Sequence, residues 1–229
     1  MPRFARVVVP ECPHHVTQRG NERRDIFFTA RDREVYLGLL KHYAELYPTD
    51  VLGYCLMTNH VHLVLVPHAQ DSLAKLLKHV QSRYSQYRHA LECGGGHLWQ
   101  CRYYSCAFEP ERLGNVMRYV ELNPVRAAMV RDPTAYPWSS AAVHCGASDD
   151  VGLVSLEDWS QCWSSEDWRV VLSQGTEDAV AIREATYGGR PFGSREFVAR
   201  LEQYLGRPLE KRSPGRPKRG KVFAAGGEI

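Results

Sequence analysis

Residues 54–66 read Tyr-Cys-Leu-Met-Thr-Asn-His-Val-His-Leu-Val-Leu-Val, an apolar, β-branched run that contains two histidines. Side chains alternate between the two faces of a strand, so His60 and His62 project from one face and the intervening Val61 from the other. Neutral imidazole is a common ligand of divalent metals, and a strand holds both rings without a flexible loop. The run therefore predicts a strand that carries half of a metal site. A pair of solvated or hydrogen-bonded histidines is the plainer alternative.

The chain around this run alternates between strand and helix signals. The polar step at residues 57–59 favours a hairpin between two antiparallel strands over one long strand. The order of elements is strand, helix, strand, strand, helix, strand, followed by another helix. This order predicts an α+β, ferredoxin-like (RRM-like) antiparallel sheet with helices on one face. The predicted strands cover residues 14–19, 52–57, 60–66 and 102–108, and the predicted helices cover residues 31–47, 72–91 and 111–122.

A second candidate group lies on the last of these helices, where apolar residues recur at helical spacing from Leu113 onward. Tyr119 and Asn123 lie four residues apart, so a helix places them on one face, one turn from each other. The phenol can act as a nucleophile or an acid, and the amide oxygen can serve as a hard ligand to a cation. Because Pro124 disfavours helical geometry in the residue before it, the helix is expected to end or kink at Asn123.

The histidine pair followed by Tyr119 and Asn123 resembles the single-tyrosine HUH transposases, and specifically the REP-associated tyrosine transposases of the IS200-like group. Further phrases of that family occur in the same order along residues 1–145. One phrase alone has little specificity, whereas five in one order indicate the family. The phrases are His15-Val16-Thr17-Gln18-Arg19-Gly20-Asn21, Leu56-Met57-Thr58-Asn59-His60, Leu98-Trp99-Gln100 running into Arg102-Tyr103-Tyr104, Asn123-Pro124-Val125-Arg126-Ala127 and Tyr136-Pro137-Trp138-Ser139-Ser140.

The resemblance implies an activity and a site. His60, His62 and the side-chain oxygen of Asn123 would hold Mg²⁺ or Mn²⁺, which polarises the scissile phosphate. Tyr119 would attack that phosphate to give a 5′-phosphotyrosine and a free 3′-OH, so strands can be rejoined without a nucleotide cofactor. The implied substrate is single-stranded DNA folded into hairpins from repetitive extragenic palindromes. Two other functions remain open: a non-catalytic DNA-binding regulator, and a metal-dependent nuclease that activates water.

Positive charge is concentrated near the end of the chain. The formal net charge is +3, but residues 207–221 carry seven basic residues against one acidic residue, so the rest of the chain sums to −3. Residues 213–219, Ser-Pro-Gly-Arg-Pro-Lys-Arg, resemble an AT-hook, an extended segment that lies in the minor groove. A disordered, solubilising tail is the alternative.

The helix predicted at residues 72–91 has a second basic face with interleaved tyrosines, which suits single-stranded nucleic acid. Solvated surface charges and turn caps are the alternative for the isolated basic and polar residues. The candidate DNA contacts over the whole chain are Arg19, Asn21, Lys78, Arg83, Arg118, Arg216, Lys218 and Arg219.

Composition limits the class of protein. The chain has 229 residues, 44% hydrophobic and 24% charged, enough for one sizeable core or for a domain with an appendage. With no long apolar run and no signal-peptide pattern, a cytoplasmic, nucleoid-associated bacterial protein without a membrane partner is expected. The seven scattered cysteines do not resemble a secreted disulfide framework. A rival zinc site, without the usual paired spacing, would consist of Cys93, His97, Cys101 and Cys106.

Three segments are predicted along the chain. Residues 1–145 form the HUH catalytic domain, residues 146–206 a helical C-terminal appendage and residues 207–229 a basic tail. The appendage is rich in tryptophan, which usually marks packing against the main domain, and it shows no recognisable chemistry of its own. Relatives of the resembled family occur as dimers with exchanged helices and as monomers with C-terminal extensions. The extension favours a monomer here over a homodimer.

Overall fold

The computed structural model describes residues 6–92 and 95–209. The strands are β1 His14–Arg19, β2 Thr49–Leu56, β3 His60–Pro67 and β4 Tyr104–Ala107. The α-helices of this part of the chain are α1 Ala30–Leu46, α2 Ser72–Glu92, α3 Leu113–Glu121, α4 Asn123–Arg126, α5 Ala141–His144, α6 Glu157–Cys162, α7 Ser165–Ser173, α8 Ala179–Gly188 and α9 Arg195–Leu205. None of the helices in the described ranges combines the length and apolar character needed to cross a bilayer.

The strands form one sheet in the order β2-β3-β1-β4, and every neighbouring pair is antiparallel. The prediction of a ferredoxin-like antiparallel sheet is therefore confirmed. β2 begins earlier than predicted, because Thr49 pairs with Pro67 at the end of β3. β4 is shorter than predicted and begins at Tyr104.

The helices α1 and α2 cover one face of the sheet. The apolar stripe of α2 packs with Leu63 and Leu65 of β3 in a buried core. At the start of α1, the Asp32 carboxylate accepts a hydrogen bond from the backbone N–H of Thr29 at 2.9 Å. The same carboxylate pairs with Arg88 of α2 at 2.9 Å. Helix capping and a buried ion pair thus hold α1 and α2 together.

The other face of the sheet is covered by α3 and by helices of the C-terminal part, whereas helices were predicted on one face. Val64 of β3 packs there with Val116 and Val120 of α3. Gly53 of β2 allows this close approach, because a Cβ at its position would lie 2.4 Å from the sulfur of Met117. The sheet is therefore the middle of three layers, because α3 and the residues after 145 supply the second apolar surface.

Tryptophans of the C-terminal part complete this second core. Trp159 and Trp168 are buried in the same cluster as Val64 of the sheet. Their rings meet edge to face, with centroids 4.6 Å apart and planes at 87°. The predicted packing of the tryptophan-rich segment against the main domain is confirmed.

A buried carboxylate joins α3 to the C-terminal helices. Glu121 is fully buried and accepts hydrogen bonds from Ser140 Oγ and His144 Nδ1, both at 2.6 Å. Its second oxygen accepts a hydrogen bond from Trp168 Nε1 at 2.8 Å. These three donors offset the cost of burying the charge, which is large for an unpaired carboxylate. Glu121 is therefore a polar centre on which α3, α5 and α7 converge.

A buried neutral histidine makes the stability of the fold sensitive to acid. His14 Nδ1 bonds to the carbonyl oxygen of Cys12 at 2.7 Å, and its Nε2 accepts from the backbone N–H of Val9 at 3.3 Å. Burial lowers the pKa of His14 to about 4. The unfolded chain takes up a proton at this residue below about pH 6.5, while the folded chain takes it up only near pH 4. The free energy of unfolding should therefore fall as the pH falls from 6.5 to 4.

We expect His14 alone to contribute about 2 to 3 kcal/mol to the difference in unfolding free energy between pH 7.5 and pH 4.5. Urea unfolding at the two pH values measures it. His14→Gln should lower the stability at both pH values and reduce the difference between them. An undiminished difference in that variant would show that other groups cause the acid sensitivity.

Candidate active site

β3 and α3 bring the predicted histidine pair and the predicted tyrosine together. His60 and His62 project from the sheet face that α3 covers, and their ring centroids lie 5.0 Å apart. The ring of Tyr119 meets the imidazole of His62 edge to face, with centroids 5.7 Å apart and planes at 88°. Val61, between the histidines, is buried in the core on the opposite face, as strand alternation requires. Three residues selected from two distant stretches of sequence thus share one cluster.

Asn59 orients His60. The Asn59 amide nitrogen donates to the backbone carbonyl of Arg23 at 2.9 Å, which turns the amide oxygen to within 2.6 Å of His60 Nδ1. An amide oxygen only accepts, so Nδ1 carries the proton and Nε2 keeps its lone pair. Burial, helped by the positive charge of Arg19, lowers the pKa of His60 to about 4. At pH 7 this imidazole is neutral, which is the form that binds a divalent metal.

His62 packs against a third histidine, His15 of β1, which was not predicted to be part of the site. The two imidazoles lie edge to edge in nearly one plane, with centroids 5.1 Å apart and planes at 4°, and His15 Nε2 lies 2.9 Å from His62 Nδ1. The Tyr119 ring also meets His15 edge to face, at 5.6 Å. Burial lowers the pKa of His62 well below its usual value and that of His15 to about 3. Both rings are therefore neutral at pH 7.

Arg126 lies against the candidate nucleophile. Its guanidinium carbon is 4.4 Å from the centroid of the Tyr119 ring, and its Nη2 donates to the Tyr119 carbonyl oxygen at 2.8 Å. Burial raises the pKa of the Tyr119 phenol, and the charge of Arg126 opposes that rise. The phenol is thus protonated at pH 7, and Arg126 is placed to stabilise a phenolate as it forms.

Asn123, the predicted third metal ligand, lies where α3 gives way to α4. The helix is interrupted at Leu122, one residue before the predicted position, and Asn123 is itself the first residue of α4. The Asn123 amide nitrogen donates to the carbonyl oxygen of Tyr119 at 3.1 Å, and its oxygen accepts from Arg126 at 2.8 Å. The oxygen that was predicted to bind a cation therefore faces a guanidinium in this structure.

Three of the predicted DNA contacts lie on or near this site. Arg19 is opposite His60 in the pairing of β1 with β3, directly beside the histidine pair. Arg118 is half-buried on α3, next to Tyr119 in the chain. Asn21 lies in a turn after β1, where its backbone N–H donates to the carbonyl of Leu98 at 2.8 Å.

The other predicted contacts lie elsewhere or outside the described residues. Lys78 and Arg83 are exposed on α2, in the helical layer on the opposite side of the sheet from Tyr119. Lys78 lines a surface groove there together with Arg102. The tail, with its AT-hook-like segment, falls outside the described ranges, and so do its three predicted DNA contacts, Arg216, Lys218 and Arg219.

The rival zinc site has no support in the described part of the chain. Cys93 lies outside it, and Cys106 is buried on β4 with its sulfur 3.2 Å from Thr186 Oγ1. The Cys101 sulfur instead faces the carbonyl oxygen of Arg102 at 3.1 Å. Within residues 6–92 and 95–209 no group of three His, Cys, Asp or Glu side chains is arranged to hold a metal.

The helix α8 also reaches the site, although no chemistry was predicted for the C-terminal part. Thr186 Oγ1 lies 2.7 Å from His15 Nδ1, and Arg183 is close enough to lower the pKa of the Tyr119 phenol. Thr17 pairs with His62, and side chains two residues apart on a strand share a face, so His15 projects from the same face as the histidine pair. Strand alternation could therefore have indicated His15. No sequence pattern signals Thr186, since 171 positions separate it from its histidine partner.

The class of protein follows from a comparison with family models. The model described as "Transposase IS200 like" matches residues 8–123, just over half of the chain. The class of this chain is therefore that of a DNA transposase. The chain belongs to the IS200-like transposase family. The matched residues include His60, His62, Tyr119 and Asn123, and they end before the C-terminal helices.

A solved structure of a transposase shares this fold. A REP-associated tyrosine transposase bound to a REP hairpin matches with a TM-score of 0.56 and 16% identity, over 72% of this chain and 92% of that chain. A putative transposase from Deinococcus radiodurans R1 gives a TM-score of 0.37 at 16% identity, over 52% of this chain and 96% of that one. A bacterial tRNA(His) guanylyltransferase (Thg1)-like protein in complex with ATP gives 0.38 at 9% identity, over 74% of each chain. No curated protein matches the chain.

Proposed function

We propose that this transposase cleaves and rejoins single-stranded DNA through a 5′-phosphotyrosine on Tyr119, with a divalent metal bound at His60 and His62. The contact between the Tyr119 ring and the His62 imidazole, with centroids 5.7 Å apart, carries the proposal. A nucleophile and a metal ligand must both reach one phosphate, and this cluster holds the two side by side. Membership of the IS200-like transposase family supports DNA as the substrate.

The residues of the cluster fit Mg²⁺ or Mn²⁺. His60 is neutral, and Asn59 leaves its Nε2 lone pair available to a cation. Asn123 is the proposed third ligand, and for its oxygen to bind the cation the hydrogen bond from Arg126 would have to be given up. Two imidazoles and one amide oxygen leave other coordination positions for water and a phosphate oxygen. A bound cation would polarise the scissile phosphate and stabilise the charge that develops on it.

Tyr119 forms the new covalent bond. Its phenol oxygen bonds to phosphorus as the bond from phosphorus to the 3′ oxygen breaks, and the proton lost by the phenol is balanced by the one that the 3′ oxygen takes up. Because one phosphodiester replaces another, the reverse reaction rejoins strands without a nucleotide cofactor. The positive charges of Arg126 and Arg19 stabilise both the phenolate and the phosphate.

The proposed substrate is a hairpin of the REP type. The solved relative with the same fold is bound to a REP hairpin, which supports a similar substrate here. Side chains on the face of the site would contact the DNA beside the scissile phosphate, and those on α2 and the tail would add salt-dependent contacts further away. The proposed contacts beside the site are Arg19, Asn21 and Arg118, and the more distant ones are Lys78, Arg83, Arg216, Lys218 and Arg219.

The proposal extends to the organisation of the chain. Residues 1–145 would form the catalytic domain, residues 146–206 the appendage and residues 207–229 the tail. We propose that the protein acts as a monomer on nucleoid DNA in the bacterial cytoplasm, because α8 of the same chain supplies side chains beside Tyr119. Light scattering after size exclusion should give the mass of one chain, and a dimer mass would contradict this part of the proposal.

The activity is tested by incubating the full chain and an end-labelled, hairpin-bearing single strand with Mg²⁺ or Mn²⁺. We expect a metal-dependent, protease-sensitive band of low mobility on a denaturing gel, and peptide mass mapping should place the DNA on Tyr119. His60→Ala should lose the band at metal concentrations that saturate the wild type. Cleavage without an adduct would indicate a nuclease that uses water, and binding without cleavage would indicate a regulator. Either result contradicts the proposal.

A further inference from the structure

We propose that His15 and Thr186 are positioning residues that keep the proton of the His62 imidazole on Nδ1 and so hold its Nε2 lone pair ready for the metal. The inference rests on the proposed function, because it takes His62 as a metal ligand. Thr186 lies on α8, outside the residues matched by the family model. The C-terminal helices would therefore take part in the active site as well as in the core.

The hydrogen bonds of Thr186 set the direction of a three-residue chain. Its hydroxyl lies 2.7 Å from the backbone carbonyl oxygen of Ile182, one turn earlier on α8. A carbonyl oxygen cannot donate, so the single hydroxyl proton of Thr186 is used in this bond. Thr186 Oγ1 must therefore accept from its other close partner, His15 Nδ1, which lies 2.7 Å away.

The same argument passes from His15 to His62. A neutral imidazole carries one proton, and in His15 that proton is on Nδ1. His15 Nε2 is consequently an acceptor, and the atom 2.9 Å from it, His62 Nδ1, must donate. His62 therefore keeps its lone pair on Nε2, the nitrogen left for a metal. A carbonyl oxygen on α8 thus determines the tautomer of a histidine on β3.

Burial makes this chain of hydrogen bonds hard to replace. His15 and Thr186 are each 1% exposed, so water does not readily substitute for either partner. The thiol of Cys106 lies 3.2 Å from Thr186 Oγ1 on another side of the hydroxyl, and because the hydroxyl proton is used on Ile182, this contact is a weak S–H donation to Oγ1. The coplanar arrangement of His15 and His62, with planes at 4° and one N–H···N hydrogen bond, fixes the ring orientation as well as the tautomer. Hydrogen-bonded partners of metal-binding histidines generally act in these two ways.

The test compares Thr186→Val with Thr186→Ser in the full chain, by calorimetric titration with Mn²⁺ alone, without DNA. Valine has the shape of threonine but cannot accept a hydrogen bond, so we expect Mn²⁺ affinity to fall by ~10- to 100-fold, as for other partners of metal-binding histidines. Serine keeps the hydroxyl and should bind Mn²⁺ like the wild type. Tyr204→Phe, at an exposed position of α9, is the control and should leave affinity unchanged.

A spectroscopic measurement on the metal-free wild type tests the same inference without any variant. Nitrogen-15 NMR of histidine side chains distinguishes an imidazole protonated on Nδ1 from one protonated on Nε2. The Nδ1–H form for both His15 and His62 is expected, and an Nε2–H form of His62 would overturn the inference even if Thr186→Val failed to fold.

The outcomes separate this inference from the proposed function. If the wild type and Thr186→Val bind Mn²⁺ equally well, the positioning role is wrong and the metal site stands. If the wild type binds no Mn²⁺ at all, the metal site of the proposed function is wrong and the positioning role falls with it.

Discussion

Tyr119→Phe is expected to leave no covalent DNA adduct and to slow strand cleavage by at least ~10⁴-fold, the order of effect that follows removal of a nucleophile. The phenol oxygen is the atom that bonds to phosphorus, and phenylalanine lacks it. Phenylalanine keeps the ring that packs edge to face on His15 and His62, so the fold and the histidine pair should be unaffected. Single-turnover cleavage of a labelled hairpin substrate, with adduct detection on a denaturing gel, measures the effect.

Tyr204→Phe is the control for this experiment. Tyr204 is 56% exposed on α9. The control should form the adduct at the wild-type rate, since accessibility alone does not make a tyrosine the nucleophile. Cleavage by Tyr119→Phe at the wild-type rate would show that water attacks the phosphate and that Tyr119 only packs.

Glu121→Ala is expected to lower the free energy of unfolding by about 3 to 5 kcal/mol, the range for removing one partner from a buried charged network. The change removes the acceptor of three buried donors. These are the Ser140 hydroxyl, His144 Nδ1 and Trp168 Nε1, which all donate to this carboxylate within 2.8 Å. It also opens a cavity between α3 and α7. Urea unfolding followed by tryptophan fluorescence measures the loss, because Trp168 is one of the donors that lose their acceptor.

Two variants control for this prediction. Glu121→Gln keeps the shape and one acceptor oxygen, so it should lose less stability than Glu121→Ala. Glu111→Ala removes an exposed carboxylate before α3 and should change the unfolding free energy by less than about 0.5 kcal/mol. A loss below about 1 kcal/mol for Glu121→Ala would mean that the three donors find water or other partners.

The site was predictable where a single element determines the geometry. The alternation of His60, Val61 and His62 assigned both imidazoles to one face, and the structure has them there. The helical spacing from Leu113 onward located Tyr119 on α3, whereas Asn123 lies on α4, after an interruption at Leu122. These relations depend on the period of one strand or one helix, which local sequence specifies.

The partners of these side chains were not predictable. Arg126 donates a hydrogen bond to the side-chain oxygen of Asn123, and His15 Nε2 forms a hydrogen bond with Nδ1 of His62. The periodicity of α3 and of the tryptophan-rich segment indicates that they pack on the domain, but it does not specify that they cover the second face of the sheet. Such contacts join elements whose relative placement depends on the packing of the whole core.

The sequence by itself determined the order of the strands and helices, the histidine face of β3 and the helical position of Tyr119. Each follows from a repeat of two or 3.6 residues, and the family resemblance added the roles. Only the tertiary structure decided that Tyr119 meets His62, that Glu121 anchors the C-terminal helices and that Thr186 reaches His15. These contacts arise when separate apolar faces bury one another, and no local period encodes which faces will meet.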